Sequence, residues 1–448
     1  MMNLRDKYPE FIFDSYNVSE DSHFIYAQYN YIISELSFNS NIKIAKKYIS
    51  NKDINKDFLD YLLFNFGMLD IINYYKLTCS KKIIVNCGFL TDKQIEFYKK
   101  LMFNGLGEYF YKNGFDFTYE EFVTFEVKNK NGRKYSINEE FTGNLIPIGG
   151  GKDSIVTLEL LKDYKEDNLC FRYDRNIYPK NEAAYNSIYL AGYNEMDMVC
   201  FDVIFDPLML RLSKEYYNGH IPVSSHIALA AYIMAYLNNK KYVVLSNESS
   251  ANSGNIAGTN INHQYSKSFE FEKDFSDYCD EFFTPSIKYF SLLRAWNEFE
   301  IVKYFCRNKE YLNVFRSCNI GSITDNNWCS NCSKCLFVYI MFYSFIGIDE
   351  LDKMFNNRML DSSKYKDVFD SLIRDDLDKP FECVGEKEEI NYALSLSVEK
   401  GGSMPLLLEY YKNNYYKPSS EYNIDNYYND DNLIPNEYKR LLEVNYER

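Results

Sequence analysis

The residues with the clearest chemical potential lie in one short stretch, Leu145-Ile146-Pro147-Ile148-Gly149-Gly150-Gly151-Lys152-Asp153-Ser154-Ile155-Val156. An apolar run, three glycines and the periodic residues Ile155, Val156, Leu158 and Leu161 predict a strand, a tight turn and a helix N-terminus. Glycines let backbone N–H groups approach a phosphate closely, and the helix end adds partial positive charge. Ser154 offers a hydroxyl to the same anion. An ordinary glycine turn is the alternative, and the spacing is neither the Walker nor the Rossmann pattern. A second cluster, Cys318, Cys329, Cys332 and Cys335, has intervals of ten, two and two residues. Four thiolates close a tetrahedral zinc shell with no open position, which makes a structural metal the favoured reading and an iron–sulfur cluster the alternative. A third group sits in the polar run Asn262–Glu272, where His263 is an acid–base candidate and Lys267 can neutralise a phosphate or carboxylate. A polar surface loop is the competing reading there. His226 lies in an apolar helix pattern and reads as core, while His220, after Gly219, is ambiguous.

Gly-Gly-x-Asp-Ser directly after an apolar strand resembles the PP-loop of the N-type ATP pyrophosphatases, usually written Ser-Gly-Gly-x-Asp-Ser, with Gly149 in place of the first Ser. That resemblance implies cleavage of ATP to AMP and pyrophosphate, with a substrate oxygen activated as its adenylate. The cysteine order is similar to that of 7-cyano-7-deazaguanine synthase. The strings Gly149–Ser154, Asn262–Glu270, Trp328–Val338 and Pro380–Glu386, with Gly105–Tyr111, together resemble the UDP-N-acetyl-α-D-muramoyl-L-alanyl-L-glutamate epimerase (MurL) family, over about residues 55–400. The family implies an enzyme that uses ATP and Mg²⁺ to invert the terminal L-glutamate of a peptidoglycan precursor.

The implied chemistry is physically coherent. A carboxylate resists loss of its α-proton because the carbanion would sit beside a negative charge, and an acyl-adenylate removes that charge. On this reading Gly149, Gly150, Gly151, Lys152, Asp153 and Ser154 bind ATP, with Asp153 also helping to place Mg²⁺. His263, Lys267, Glu270 and Cys383 are candidates for proton transfer or carboxylate binding, although a lone cysteine beside Phe381 and Val384 also fits a packed core. Three alternatives stay open: a ligase that passes the adenylate to an amine or ammonia, an epimerase of another amino-acid-ended substrate, and a nucleotide-binding regulatory protein without turnover.

These residues need elements to position them. From Leu145 onward strands and helices alternate: a strand at Leu169–Tyr173, a helix at Lys180–Ala191 opened by Pro179, a strand at Met198–Phe205, a helix at Ser224–Leu237 and a strand at Tyr242–Leu245. This predicts an α/β fold with a parallel sheet and helices on both faces, ligands sitting beyond the carboxyl ends of the strands. Three such ends are polar, at Gly149–Ser154, Arg172–Asp174 and Ser246–Ser250, and add Arg172, Asn247 and Glu248 to the ATP-binding candidates. Residues 1–140 predict a separate N-terminal α+β unit, with a strand at Phe24–Ile33, a helix over 55–75 and a second helix over Thr91–Phe103 capped by Asp92. In that unit Glu108–Tyr111 and Phe122–Val127 lead into the hairpin signal Asn131-Gly132. Residues 141–350 form the loop-bearing domain with the cysteines, and residues 351–448 a helical C-terminal region whose tail, from 403, has limited regular structure.

At 448 residues and 46% apolar content the chain has room for two or three domains and a sizeable core. A net charge of −14 with a pI near 5.0 argues against a nucleic-acid partner, since phosphate backbones need basic surfaces. The start, Met1–Asp6, lacks the apolar core of a signal peptide, and the runs Ile227–Leu237 and Leu336–Ile348 are too short to span a bilayer. Seven of the eleven cysteines are scattered singly, as in reduced thiols. The expected protein is soluble and cytoplasmic, with a small-molecule substrate, and its oligomeric state is not legible.

Overall fold

The computed structural model of the chain describes residues 3–443 apart from 133, 134, 136, 138, 257, 260, 325 and 326. In chain order its strands are β1 Glu10–Glu20, β2 Phe24–Ile33, β3 Leu36–Ala45, β4 Lys82–Val85, β5 Thr124–Val127, β6 Asn144–Pro147, β7 Asn168–Arg175, β8 Met198–Ile204, β9 Tyr242–Leu245 and β10 Lys288–Ser291. They form one sheet in the order β10-β9-β6-β7-β8-β3-β2-β1-β4-β5. The expected parallel sheet is one part of this larger, mixed one. Strands β10, β9, β6, β7 and β8 are parallel neighbours, β8 then pairs antiparallel with β3, and β3, β2 and β1 run as an antiparallel meander. Strands β4 and β5 extend it, parallel to β1.

Alternation along the central strands divides the core in two. Leu145, Phe171, Val199 and Val243 face one layer, packed with the helices Lys56–Tyr75, Asp92–Gly105, Val223–Leu237 and Phe269–Phe282. Ile146, Cys170, Met198 and Val244 face the other, with the helices Lys152–Leu160, Glu182–Leu190, Glu298–Phe305, Ser333–Tyr343 and Lys387–Lys400. Burial on both faces explains the near-continuous apolar runs in β6 and β9. His226 is buried in the first layer against Asn73 and the Pro222 carbonyl, and burial lowers its pKa to about 4.

Four local expectations change. Thr91, not Asp92, caps the helix Asp92–Gly105, through a reciprocal box with Gln94. The helix after Pro179 begins at Glu182, with Asn181 as its cap. Glu108–Tyr111 lies in a helix, Gly107–Asn113, because Gly105–Leu106 allows a second helix to restart at once. No hairpin follows β5 among the described residues: its partner is β4, parallel, and part of the segment after Asn131-Gly132 lies outside the described residues.

The tail also departs from expectation. Ile424, Ile434, Tyr438 and Leu442 are buried, and the last described segment is a helix, Asn436–Glu443. Tyr438 stacks on Phe290 at 5.9 Å, meets Tyr242 edge-on and donates its hydroxyl to Asn144 Oδ1 at 2.7 Å. The tail thus seals β10, β9 and β6 against solvent at the end remote from the glycine loop. Among the described residues no helix is long and apolar enough to cross a membrane. Replacing Tyr438 by Ala removes a large buried ring and strands Asn144, so chemical denaturation should report a loss of about 3–5 kcal/mol. A loss under about 1 kcal/mol would mean that the tail only rests on the sheet.

Candidate functional site

The glycine loop leaves β6 and enters the helix Lys152–Leu160. Gly150 has φ +80°, and a Cβ there would lie 2.5 Å from the Ala184 backbone nitrogen, so the helix Glu182–Leu190 requires glycine at this position. Three bonds shape the turn. Asn181 Nδ2 donates to the Gly149 carbonyl at 2.9 Å, the Arg316 N–H donates to the Gly150 carbonyl at 2.8 Å, and Ser154 Oγ donates to the Gly151 carbonyl at 3.0 Å. Gly151 brings no side-chain cap to the helix, which leaves first-turn N–H groups for an anion.

Lys152 turns inward. It is 1% exposed and ion-paired to Asp153 and to Glu298, itself 1% exposed. Burial works against its charge, but Asp153, Glu298 and Glu248 together raise its pKa above the ordinary lysine range. For Asp153 burial is opposed by Lys152, Lys334 and Lys267, and the carboxyl is held low. Glu389 closes the far side. It accepts from the Glu298 N–H and Ser250 Oγ at 2.8 Å each, and burial followed by the nearby Glu298 raises its pKa to about 8.

The other expected ATP residues lie on or just beyond the strands that flank β6: Arg172 within β7, and Asn247 and Glu248 after β9. Arg172 is buried within β7, which continues to Arg175 instead of ending at Arg172–Asp174 as expected; it pairs with Asp174 at 2.5 Å and lies 4.3 Å over the Tyr185 ring. Asn247 donates to Ser291 Oγ at 3.1 Å, which ties the end of β9 to that of β10. Glu248 is buried, and its carbonyl accepts from Arg294 Nη1 at 2.5 Å. Arg294 also donates to the Lys267 carbonyl and pairs with the buried Glu272 at 2.9 Å.

A second group lies beside this one. Lys267 Nζ is 3.5 Å from Cys383 Sγ, and Lys334 donates to the Cys383 carbonyl. The negative charge of Cys383 raises the Lys267 pKa most, over the opposing effect of burial, with Glu248 and Asp153 adding to it. Cys383 therefore sits among charges rather than in apolar packing. Burial pushes its thiol up, but Lys267, His263 and Lys334 bring it to about 7. His263 Nδ1 bonds to Glu108, whose other oxygen takes Lys112. Burial disfavours the imidazolium, yet Cys383 and Glu108 raise it to about 9. The His220 ring stacks 3.9 Å from that of His263, and burial with the His263 charge lowers it to about 3. Glu108, His220 and His263 lie within 4.8 Å of one another, but the ammonium groups of Lys112 and Lys267 make this a poor place for a cation.

Of the residues expected from sequence, His263, Lys267 and Cys383 come together, next to Asp153 and Glu248. Glu270 does not join them: it is 56% exposed and paired with Lys100 at 2.8 Å. Sequence reasoning missed Glu108, Arg294, Glu298 and Lys334. Two signals were available, since Glu108 lies in the Gly105–Tyr111 string and Lys334 between two metal-type cysteines.

The four cysteines converge. Their sulfurs lie within 4.8 Å of one another, with Cys332–Cys335 at 3.5 Å, Cys329–Cys335 at 3.6 Å and Cys318–Cys332 at 3.9 Å. Four sulfurs about 2.3 Å from one ion in a tetrahedron stand about 3.8 Å apart, so the set fits a single zinc. The Gly321 N–H donates to Cys318 Sγ at 3.2 Å, the outer contact expected around a thiolate ligand.

Comparison with known proteins agrees in direction. Residues 2–292 match the MurL N-terminal domain and residues 314–405 the MurL C-terminal domain. Three relatives carry the name UDP-N-acetyl-α-D-muramoyl-L-alanyl-L-glutamate epimerase. The protein from a Micromonospora species is 33% identical over 73% of this chain and 73% of its own. That of Salinispora tropica is 32% identical over 74% and 72%, and that of Xanthomonas oryzae pv. oryzae 28% over 72% of each. No solved structure matches the chain.

Two outcomes follow from the geometry. Lys152→Met leaves Glu298 and Asp153 uncompensated and should cost about 3–5 kcal/mol in denaturant unfolding, much of it recovered by adding Glu298→Gln. A cost no larger than that of a surface pair would refute the buried ion pair. Elemental analysis should find about one zinc per chain, lost in Cys332→Ser together with thermal stability. Visible sulfur-to-iron absorption would assign the knot to an iron–sulfur cluster instead.

Proposed function

The chain belongs to the MurL family of epimerases, and from that premise we propose that it inverts the terminal L-glutamate of UDP-N-acetylmuramoyl-L-alanyl-L-glutamate, a peptidoglycan precursor, with cleavage of ATP to AMP and pyrophosphate. The observation that carries the mechanism is Lys267. Its ammonium lies 3.5 Å from the Cys383 thiol and interacts with Asp153 of the glycine loop and with Glu248. A phosphate-type loop and an acid–base couple therefore share one buried cation.

When bound, ATP with Mg²⁺ supplies the adenylyl group that masks the α-carboxylate charge. The first-turn N–H groups after Gly151 would hold the pyrophosphate end, joined by the Ser154 hydroxyl if it turned away from the Gly151 carbonyl, and Asp153 would be the carboxylate to hold Mg²⁺. Arg172, on the neighbouring strand β7, would meet the rest of the nucleotide. Lys267 is positioned to stabilise negative charge that develops on the acyl oxygen once the α-proton leaves. Cys383 and His263 move that proton, and water then releases AMP and the inverted glutamate. The cysteine knot works at a distance: Lys334, between Cys332 and Cys335, anchors the Cys383 carbonyl.

The direct test is ATP–pyrophosphate exchange with the L-glutamate substrate in deuterated water, followed by mass analysis of the glutamate. The expected result is substrate-dependent exchange together with one solvent deuterium at the α-carbon. Exchange without deuterium would move the assignment to an amide-forming ligase of the same loop type, and no exchange would remove the adenylation step.

A further inference from the structure

Glu108 comes from the helix Gly107–Asn113, far in sequence from every other residue of the site, yet it is 3% exposed and directed at His263. One oxygen takes His263 Nδ1 and the other Lys112 Nζ, so both are engaged by cationic partners. We propose that Glu108 is a positioning residue: by holding His263 as an imidazolium it keeps Cys383 a thiolate, and that thiolate is the base for the substrate α-proton. This rests on the epimerase reading above.

The surroundings argue for this assignment. The charged and titratable groups facing the couple are Glu108 and Lys112 on one helix, Lys267 from the turn before the helix Phe269–Phe282, Lys334 from the helix Ser333–Tyr343, Glu382 beside Cys383, and His220. Lys267 and Lys334 favour a thiolate, while Lys112 is paired with Glu108. His220 is uncharged near neutrality, so it covers the imidazolium without adding a competing charge. Burial alone would leave a neutral thiol and a neutral ring; the charge on the ring is supported by Cys383 itself and by Glu108. In the step, the Sγ lone pair takes the proton, an S–H bond forms as Cα–H breaks, and the bonding pair stays in the enolate. A solvent-exchangeable acid reprotonates the opposite face.

The sign with pH follows. The base is present as pH rises through about 7, where Cys383 ionises, and the couple is lost as pH passes about 9, where His263 gives up its proton. Proton exchange should therefore rise through about pH 7 as the thiolate forms, and loss of the imidazolium above about 9 does not reprotonate it.

The test is the pH dependence of iodoacetamide alkylation of Cys383 in the full-length protein, read by mass spectrometry of its peptide, alongside the two catalytic readouts. Glu108→Gln keeps the shape and removes the charge. It should shift the alkylation inflection upward, slow labelling at pH 7 about tenfold or more, and slow α-deuterium incorporation similarly. ATP–pyrophosphate exchange should stay within about twofold of wild type. His263→Asn, a second route to the same loss, should shift the inflection in the same direction. An unchanged inflection in both variants, or full deuterium incorporation by Cys383→Ser, would overturn the inference. If wild type shows no exchange at all, the epimerase reading fails, whereas wild-type exchange with unshifted variants rejects only the role of Glu108.

Discussion

One buried ion pair, Arg294 with Glu272, holds the site together. Arg294 is fully buried and spends its donors on three places at once: the Glu272 carboxylate, the Glu248 carbonyl after β9 and the Lys267 carbonyl. Glu272 accepts in turn from the Ser291 N–H at the end of β10. Two strand ends and the turn that carries Lys267 are thus fixed to one another by a planar, five-donor group, a task for which a lysine has the wrong geometry. Such a pair adds little net stability, because desolvation offsets the attraction. What it supplies is placement of the backbone beneath Glu248 and Lys267.

The same logic extends through the charges around the glycine loop. Lys152, Glu298, Asp153, Glu248, Lys267 and Cys383 are individually costly to bury and are tolerable only as a connected set. Fixed charges held in a dry cleft need no reorganisation when a reaction moves charge through them. The arrangement sets two chemistries side by side, an anion-binding helix end and a proton-transfer couple, with Lys267 common to both.

Local features were legible where local physics decides them. The helix Lys56–Tyr75, the strands β2, β7, β8 and β9 and the glycine turn all follow from periodicity and turn chemistry. So did the meeting of the cysteines, because two-residue intervals leave them little room to separate. What the sequence did not disclose was non-local. Nothing in the run Ser37–Lys43 announces that β3 will pair with β8, and a parallel sheet was expected for that reason. Arg294 and Glu298 occupy ordinary amphipathic contexts, and their importance comes from partners dozens to more than a hundred residues away. Glu270 illustrates the opposite error: its place in a polar run near His263 suggested chemistry, but a helix turns its side chain outward to Lys100.

The pairing of β3 with β8 has a mechanical consequence. It joins the N-terminal strands to the loop-bearing strands along one hydrogen-bonded seam, so a single sheet runs through both halves of the molecule. Beside Cys383 the segments 252–256 and 379–386 touch each other through Asn255, Lys379 and Pro380. Both bonds end on backbone carbonyls, so the two segments are tied into one border by groups that no pH change would discharge.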